Sequence, residues 1–447
     1  MKKIYLLLVV LSISLGSIAQ QTIRIFDKVL FYDGYADTSI LPQPGPENVL
    51  RFSTSLYSTR ITSEQIQQLG TALRLNIVVK AACDNYDRIG NVFLAFVPKG
   101  ATTYDPATAK RLEIARFITP FMNKNIKPDT VPYSFQVDNI AALLRDSGLT
   151  DTCDVWMELS IFGVPYAANT QVAGCSGRSD VFYGTVDLVT ANTAGARPEN
   201  TLKVLSNYAS FNNYQANATD TLGKTSRTIS FEVDEVSYNT SLFLITSNHG
   251  ANEGGEEYNR RWHYVQLDGE QVLQYRPGFN TCEPYRKYNT QANGIYGNTI
   301  RSEATWQSFS NWCPGAIIPI RSVNLGTLQP GTHTFRITVP AAQFVGKQGD
   351  IPLTAYVQGY TSPQAVSVTE YSALQESTYL FVDPSGDLLT IESEQEISGY
   401  TILSLTGQQL RSGKSDRADI SGLSTGVYAL SIRFKNGYTI NSQFLKP

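Results

Sequence analysis

The sequence predicts an all-β chain of antiparallel sandwiches or jelly rolls, and three observations lead there. Nearly every segment alternates at period two, as in Ile23–Phe26, Leu75–Val79, Val92–Val97, Val155–Phe162, Phe182–Val189, Thr228–Val233, Leu242–Thr246, Tyr264–Leu267, Thr334–Val339 and Leu353–Gln358. Turn residues separate these runs. Helical periodicity is confined to short stretches, Ser63–Gly70 and Asn139–Arg145. Many short strands with regular turn signals belong to sandwich and jelly-roll architectures.

At the N-terminus, Lys2 and Lys3 precede an apolar run and then Ser17-Ile18-Ala19. That order predicts a secretory signal peptide over 1–19. The apolar run is shorter than the ~20 residues that span a bilayer, and no Cys follows it as a lipid attachment point. No other stretch is long and apolar enough to cross, so the mature chain is expected to be exported, with no membrane span. Its length suits two or three domains. The small, polar segment Thr190–Asn200 and the segment Thr361–Gln375 mark boundaries. The expected domains are therefore 20–192, 200–362 and 376–447.

Charged residues make up 17% of the chain, and Lys+Arg 36 nearly balance Asp+Glu 39. No basic stripe marks a nucleic-acid or anionic-membrane surface. Few charges beside 25 Tyr and 20 Phe fit a secreted β-protein that handles polar, uncharged ligands. Five cysteines fit an oxidising compartment. Cys282 with Cys313 and Cys153 with Cys175 are plausible pairs, which leaves Cys83 over, although sequence alone does not determine connectivity. Three scattered histidines, His249, His263 and His333, are too few for a zinc or copper centre built on several imidazoles. His263 has no upstream nucleophile elbow to serve.

Three acidic positions stand out. Asp87 lies in "CDNYDR", between two apolar strands, and Glu158 interrupts the apolar strand "DVWMELSIFG". Glu257 lies in "GGEEYNRRWH" among Glu256, Arg260, Arg261 and His263. A carboxylate on an inward face is costly unless paired or needed, and acids with perturbed pKa values serve acid–base chemistry. Each also has a plain reading: a structural Asp87–Arg88 ion pair, a Glu158 facing solvent, a solvated charged loop. The pattern alone leaves both readings open.

Residues 376–447 contain "LTGQQL" and "LSTGVYALSI" among short strands. They resemble the C-terminal sorting domain of the type IX secretion system, a small immunoglobulin-like β-sandwich found in Bacteroidetes. The usual entry motif is degraded to Asp383-Pro384-Ser385. The resemblance implies the secretion machinery as a partner and a final location outside the cell or on its surface.

"FDKVLFYDG" (26–34), "CDNYDR" (83–88), "EIARFITPF" (113–121), "VWMELSIFG" (155–163), "GGEEYNRRWH" (254–263) and "NWCPGAIIP" (311–319) follow one another in the order of the peptide-N-glycosidase F family. The resemblance covers about residues 22–360. It implies two adjacent eight-stranded antiparallel jelly rolls with a cleft between them. It also implies hydrolysis of the amide between Asn and the first N-acetylglucosamine of an N-glycan, without a cofactor, by a monomer acting on N-glycosylated proteins or glycopeptides. Carried over by motif, the catalytic acids are Asp87, Glu257 and Glu158. Substrate binding falls to Arg88, Asp84, Tyr86, Tyr258, Arg261 and Trp312, with Trp312 and Tyr258 stacking on sugars.

Several positions depart from the family pattern. Ser160 and Tyr86 stand where the family has Trp, and Gly255 and Asn259 replace two cysteines. Cys83 then reads as the remnant of a lost disulfide. Phe309 replaces an arginine, for which Arg301 is the available substitute. These changes bear on substrate range more than on reaction type. A glycan-binding protein on the same scaffold and a jelly-roll glycoside hydrolase using the same acids are the alternatives. A copper monooxygenase lacks the ligands.

Overall fold

The computed structural model describes residues 20–191, 199–211, 224–251, 255–279, 281–291, 310–344 and 349–363, and 378–446 except 384, 394, 405–407 and 436–438. The segment 1–19, Arg301 and Phe309 lie outside the described residues. The chain forms two compact units, Met1–Ser362 and Pro363–Pro447. Both are all-β, with antiparallel sheets throughout.

The first half of the larger unit contains β1 (Gln20–Tyr32), β2 (Leu50–Arg51), β3 (Leu56–Arg60), β4 (Ala72–Ala81), β5 (Ile89–Pro98), β6 (Lys110–Ile118), β7 (Thr130–Gln136), β8 (Cys153–Ile161) and β9 (Asp180–Ala191). The second half contains β10 (Asn200–Ser210), β11 (Ser226–Val233), β12 (Ser237–Thr246), β13 (His263–Leu267), β14 (Glu270–Tyr275), β15 (Ile317–Ile318), β16 (Arg321–Leu328), β17 (Gly331–Thr338) and β18 (Pro352–Tyr360). Each half is a jelly-roll-like pair of sheets. The first pairs β1-β9-β4-β7 with β15-β6-β5-β8-β3-β2, and the second pairs β10-β18-β12-β16 with β11-β17-β13-β14.

Alternation explains the first sheet. In β4, Leu73, Leu75, Ile77 and Val79 are buried while Arg74, Val78 and Lys80 face out. The strands β5 and β8 are buried on both faces. Val92, Leu94, Met157 and Leu159 fill the first core, and the opposite face is covered by loops and by the second half. Leu205, Leu244, Val265, Phe335 and Leu353 belong to a separate second core. Both expected helices form. Ser63–Gln67 starts on a capping box in which Thr62 and Gln65 satisfy each other's backbone N–H groups, and Asp138–Leu144 buries Ile140, Ala141, Leu143 and Leu144.

Among the contacts that join the halves, two centre on β6. The short strand β15 adds to β6, with Ile317 opposite Phe117 and Ile318 opposite Arg116. A buried ion pair on β6 also faces the second half. Arg116 donates to both oxygens of Glu113, at 2.8 and 2.7 Å, to Ser247 Oγ at 2.8 Å and to the Pro352 carbonyl at 2.9 Å. Glu113 in turn accepts from Asn91 Nδ2 at 2.6 Å and from the Thr354 hydroxyl.

The smaller unit contains β19 (Thr378–Val382), β20 (Leu388–Ser393), β21 (Ile397–Leu403), β22 (Gln409–Gly413), β23 (Arg417–Asp419), β24 (Gly426–Phe434) and β25 (Thr439–Lys446). Its sheets, β19-β20-β23 and β22-β21-β24-β25, share one core that includes Leu389, Ile391, Ile402, Leu430 and Ile432. This is a small β-sandwich.

Candidate active site

The link between β4 and β5, residues 82–88, is organised by one buried carboxylate. Asp84 accepts from Tyr86 N at 3.0 Å, from Val164 N at 2.7 Å and from Arg88 Nε at 2.7 Å. The first of these closes an Asx turn. Asp84 therefore shapes the loop and fixes Arg88, whose backbone N–H donates to Thr119 Oγ1 at 2.8 Å. The loop leads straight into β5 through Gly90, where a Cβ would come within 2.1 Å of the Phe117 ring. Only glycine lets β6 approach this closely.

The loop is also covalently tied, and here one expectation is corrected. Cys83 bonds to Cys175, with 5.5 Å between Cα atoms, and Cys153 is free. Cys153 opposes Pro98 at the start of β8, whereas Cys175 follows the other end of that strand. At ~3.3 Å per residue, roughly 30 Å of strand separates Cys153 from that end. Cys83 is thus a working partner and no remnant. The pair Cys282–Cys313 forms as expected. Bridging residues 92 apart constrains the unfolded chain by roughly 4–5 kcal/mol in the chain-entropy treatment. Cys175→Ser is therefore expected to lower stability by about 3–5 kcal/mol in a denaturant titration, while Cys153→Ser leaves it near wild type.

Glu257 reaches the site from the second half. Its carbonyl accepts from Ser310 Oγ and from Asn311 Nδ2, both at 2.7 Å. Asn311 also bonds the backbone of Asn248 on both sides, at 2.9 Å. A short chain of contacts joins this loop to that of Asp87. Arg88 pairs with Thr119, Ile118 N donates to the Ala316 carbonyl at 3.0 Å, and residues 310–316 run between Ala316 and the Glu257 tether.

Asp87 and Glu257 lie within electrostatic reach of each other. Asp87 is half-buried and enclosed by protein. Burial, and then the charge of Glu257, push its carboxyl up to about 7, against the pull of Arg88. Burial also pushes Glu257 up, opposed by hydrogen bonds from Tyr258 and from the backbone at Gly250. The Tyr258 phenol rises as well, through burial and then the charges of Glu257 and Asp87. Tyr258 is 48% exposed and Tyr86 37% exposed. Arg88 lies 5.4 Å from the Tyr86 ring.

The remaining sequence candidates lie elsewhere. Glu158 is fully buried, receives Arg111 in a bidentate pair and accepts from the Tyr104 hydroxyl at 2.9 Å. It opposes Phe93, six residues beyond Asp87, so roughly 20 Å of extended chain separates the two acids. Arg261 donates to Glu256, at 2.9 and 3.2 Å, and Glu256 also accepts from Gln343 N. The sugar-stacking expectation for Trp312 is corrected. Trp312 is 3% exposed, and its indole N–H donates to the Asn248 carbonyl at 3.0 Å. A buried ring offers no face to a sugar, so Trp312 supports the Glu257 loop. Asn311 and Thr119, which anchor the two loops, lie inside "NWCPGAIIP" and "EIARFITPF", but the motifs gave neither of them a role, because a side-chain tether has no fixed spacing.

Burial pushes His249 and His263 down to about 3, and both are neutral at neutral pH. No three His, Cys, Asp or Glu side chains converge as a metal-binding group among the described residues.

A model of the N-terminal part of peptide-N-glycosidase F matches residues 22–177, and one of its C-terminal part matches residues 214–358. A secretion system C-terminal sorting domain matches residues 380–446. No curated protein matches the chain. Among solved structures it is similar to PNGF-II in two crystal forms. One is 18% identical with a TM-score of 0.55, covering 77% of this chain and 66% of that one. The other is 17% identical with a TM-score of 0.53, covering 78% and 66%. The chain thus spans about two thirds of the length of PNGF-II. It is also similar to the glycosylasparaginase PNGase F from Flavobacterium meningosepticum, at 15% identity and a TM-score of 0.47, covering 78% of this chain and 98% of that one. At such identities the structural matches speak to fold alone.

Proposed function

The chain belongs to the peptide-N-glycosidase F family and ends in a type IX secretion sorting domain, and from this premise we propose that it is a secreted amidase acting on N-glycosylated proteins or glycopeptides. In this reading it cleaves the amide between Asn and the innermost N-acetylglucosamine, without a cofactor and as a monomer. A signal peptide over 1–19 would deliver it to the periplasm before the sorting domain takes it outward. One observation carries the reading: two carboxylates, one from each half, lie within electrostatic reach of each other, and burial with the Glu257 charge pushes Asp87 up to about 7.

Asp87 would act as the base. Its carboxylate takes a proton from water as the water oxygen attacks the side-chain carbonyl carbon of the glycosylated Asn. The C–N bond then breaks, the nitrogen receives that proton and leaves as the glycosylamine, and Asp remains in the polypeptide. Arg88, held by Asp84, supplies positive charge beside the developing oxyanion. Glu257 positions the water or the innermost sugar, with Tyr258 and Tyr86 as exposed rings beside it. Glu158 acts at a distance, by holding Arg111.

Incubation with a glycopeptide followed by mass spectrometry tests this. Loss of the whole glycan with Asn converted to Asp supports it. A sugar left on Asn would instead identify a glycoside hydrolase, and binding without release a lectin-like protein. A pH series adds a second test. If Asp87 must be ionised, kcat/KM rises with pH through a limb near 7. Glu257 is one of the charges that raise Asp87, so Glu257→Gln is expected to move that limb to lower pH, whatever it does to the maximal rate. An unmoved limb would break the assigned coupling.

A further inference from the structure

A cavity of about 590 Å³ opens on the outer face of the six-stranded sheet, lined in part by Phe52, Leu56, Tyr104, Asp105, Ala107 and Arg111. Its size falls within the ~300–1,000 Å³ range of small-ligand sites. It lies on the same sheet as β5, the strand that the Asp87 loop leads into. Asn91, four residues beyond Asp87, opposes Ser160, and Ser160 opposes Leu56. Strand geometry puts Leu56 roughly 15 Å from Asp87, from ~3.3 Å per residue along β5 and ~4.8 Å per strand across the sheet. Both Ser160 and Leu56 are half-exposed.

The lining has a definite chemistry. Phe52 and Tyr104 meet edge to face, with centroids 4.8 Å apart. The Tyr104 hydroxyl is anchored to Ser58 at 2.7 Å and to Glu158 at 2.9 Å. Arg111 is fixed by Glu158, which cancels its charge while leaving a rigid, planar donor whose side chain is 20% exposed. Asp105 is exposed and adds an acceptor with a negative charge. An anion is therefore disfavoured, and a neutral ligand with one apolar face and several hydroxyls is favoured.

We propose that this pocket is a distal subsite for an uncharged outer sugar of the N-glycan whose innermost residue lies at Asp87. The subsite rests on the amidase reading for its substrate, and it gives buried Glu158 a role as the residue that positions Arg111.

Two glycopeptides of one peptide sequence test it, one bearing only two N-acetylglucosamine units and the other a mannose-extended glycan. The readout is the ratio of kcat/KM for the extended over the short substrate. Phe52→Ala removes a ring, and Ala107→Trp fills the cavity from an exposed loop position. Either is expected to lower the ratio about tenfold, the size of one lost aromatic contact, mainly through KM of the extended substrate. An unchanged ratio would overturn the subsite, as would a loss that follows peptide length instead of glycan length. Calorimetric titration of Asp87→Asn protein with the free mannose-bearing oligosaccharide separates this from the amidase reading. Binding that Ala107→Trp abolishes supports the pocket even if no glycopeptide is cleaved, and binding that Ala107→Trp leaves intact overturns it.

Discussion

Asp87→Asn is expected to cut glycan release by about 10²–10⁴-fold, the usual contribution of a positioned general base. The amide keeps the size of the carboxylate and loses its basicity. A second measurement shows that the loss is chemical. The folded-state pKa of Asp87 is raised to about 7 from 3.8. Between those values the unfolded chain loses a proton that the folded chain keeps, so this group makes stability fall as pH rises from about 4 to about 7. Asn has no such ionisation. The variant should therefore unfold at a higher temperature than wild type at pH 8 and at a similar temperature near pH 4. Full activity in the variant would remove Asp87 from the mechanism. Lower stability at pH 8 would mean that its environment stabilises the charge.

The second large effect lies between the halves. Arg116→Ala leaves Glu113 buried at 0% exposure without its guanidinium partner. Stranding a buried charge in this way costs about 3–5 kcal/mol, seen as a fall of roughly 6–10 °C in the unfolding midpoint. The same change removes the bonds to Ser247 and the Pro352 carbonyl, which hold the second half. Replacing both partners by apolar residues, as in Glu113→Leu with Arg116→Met, should recover much of the loss, because no charge is then left unpaired. A single variant as stable as wild type would show that solvent reaches Glu113.

Strand content was legible because alternation is local. Leu75–Val79 places one face inward whatever surrounds it, whereas Leu353–Gln358 is buried on both faces. Other strands carry weaker signals: β7 contains Pro132, and β16 contains Gly326. Glu158 shows where local reading stops. Period two puts it on the face opposite Met157 and Leu159, as expected of a polar residue, yet Arg111 and Tyr104 cover that face. The cysteines show the same limit. Spacing suggested Cys153 with Cys175, but β8 holds Cys153 at its far end, and Cys83 meets Cys175 instead.

By itself, the sequence determined the strand pattern, the sorting tail and the identity of the acids in "CDNYDR" and "GGEEYNRRWH", because periodicity and motifs are properties of neighbouring residues. The tertiary structure decided which of those acids come within electrostatic reach of each other. Asp87 and Glu257 are 170 residues apart, and they meet because β15 adds to β6 and Asn311 and Thr119 anchor their loops. The structure likewise took Trp312 out of solvent and sent Glu158 to Arg111. Burial depends on what the rest of the chain lays over a residue, and that is where local sequence carries no record.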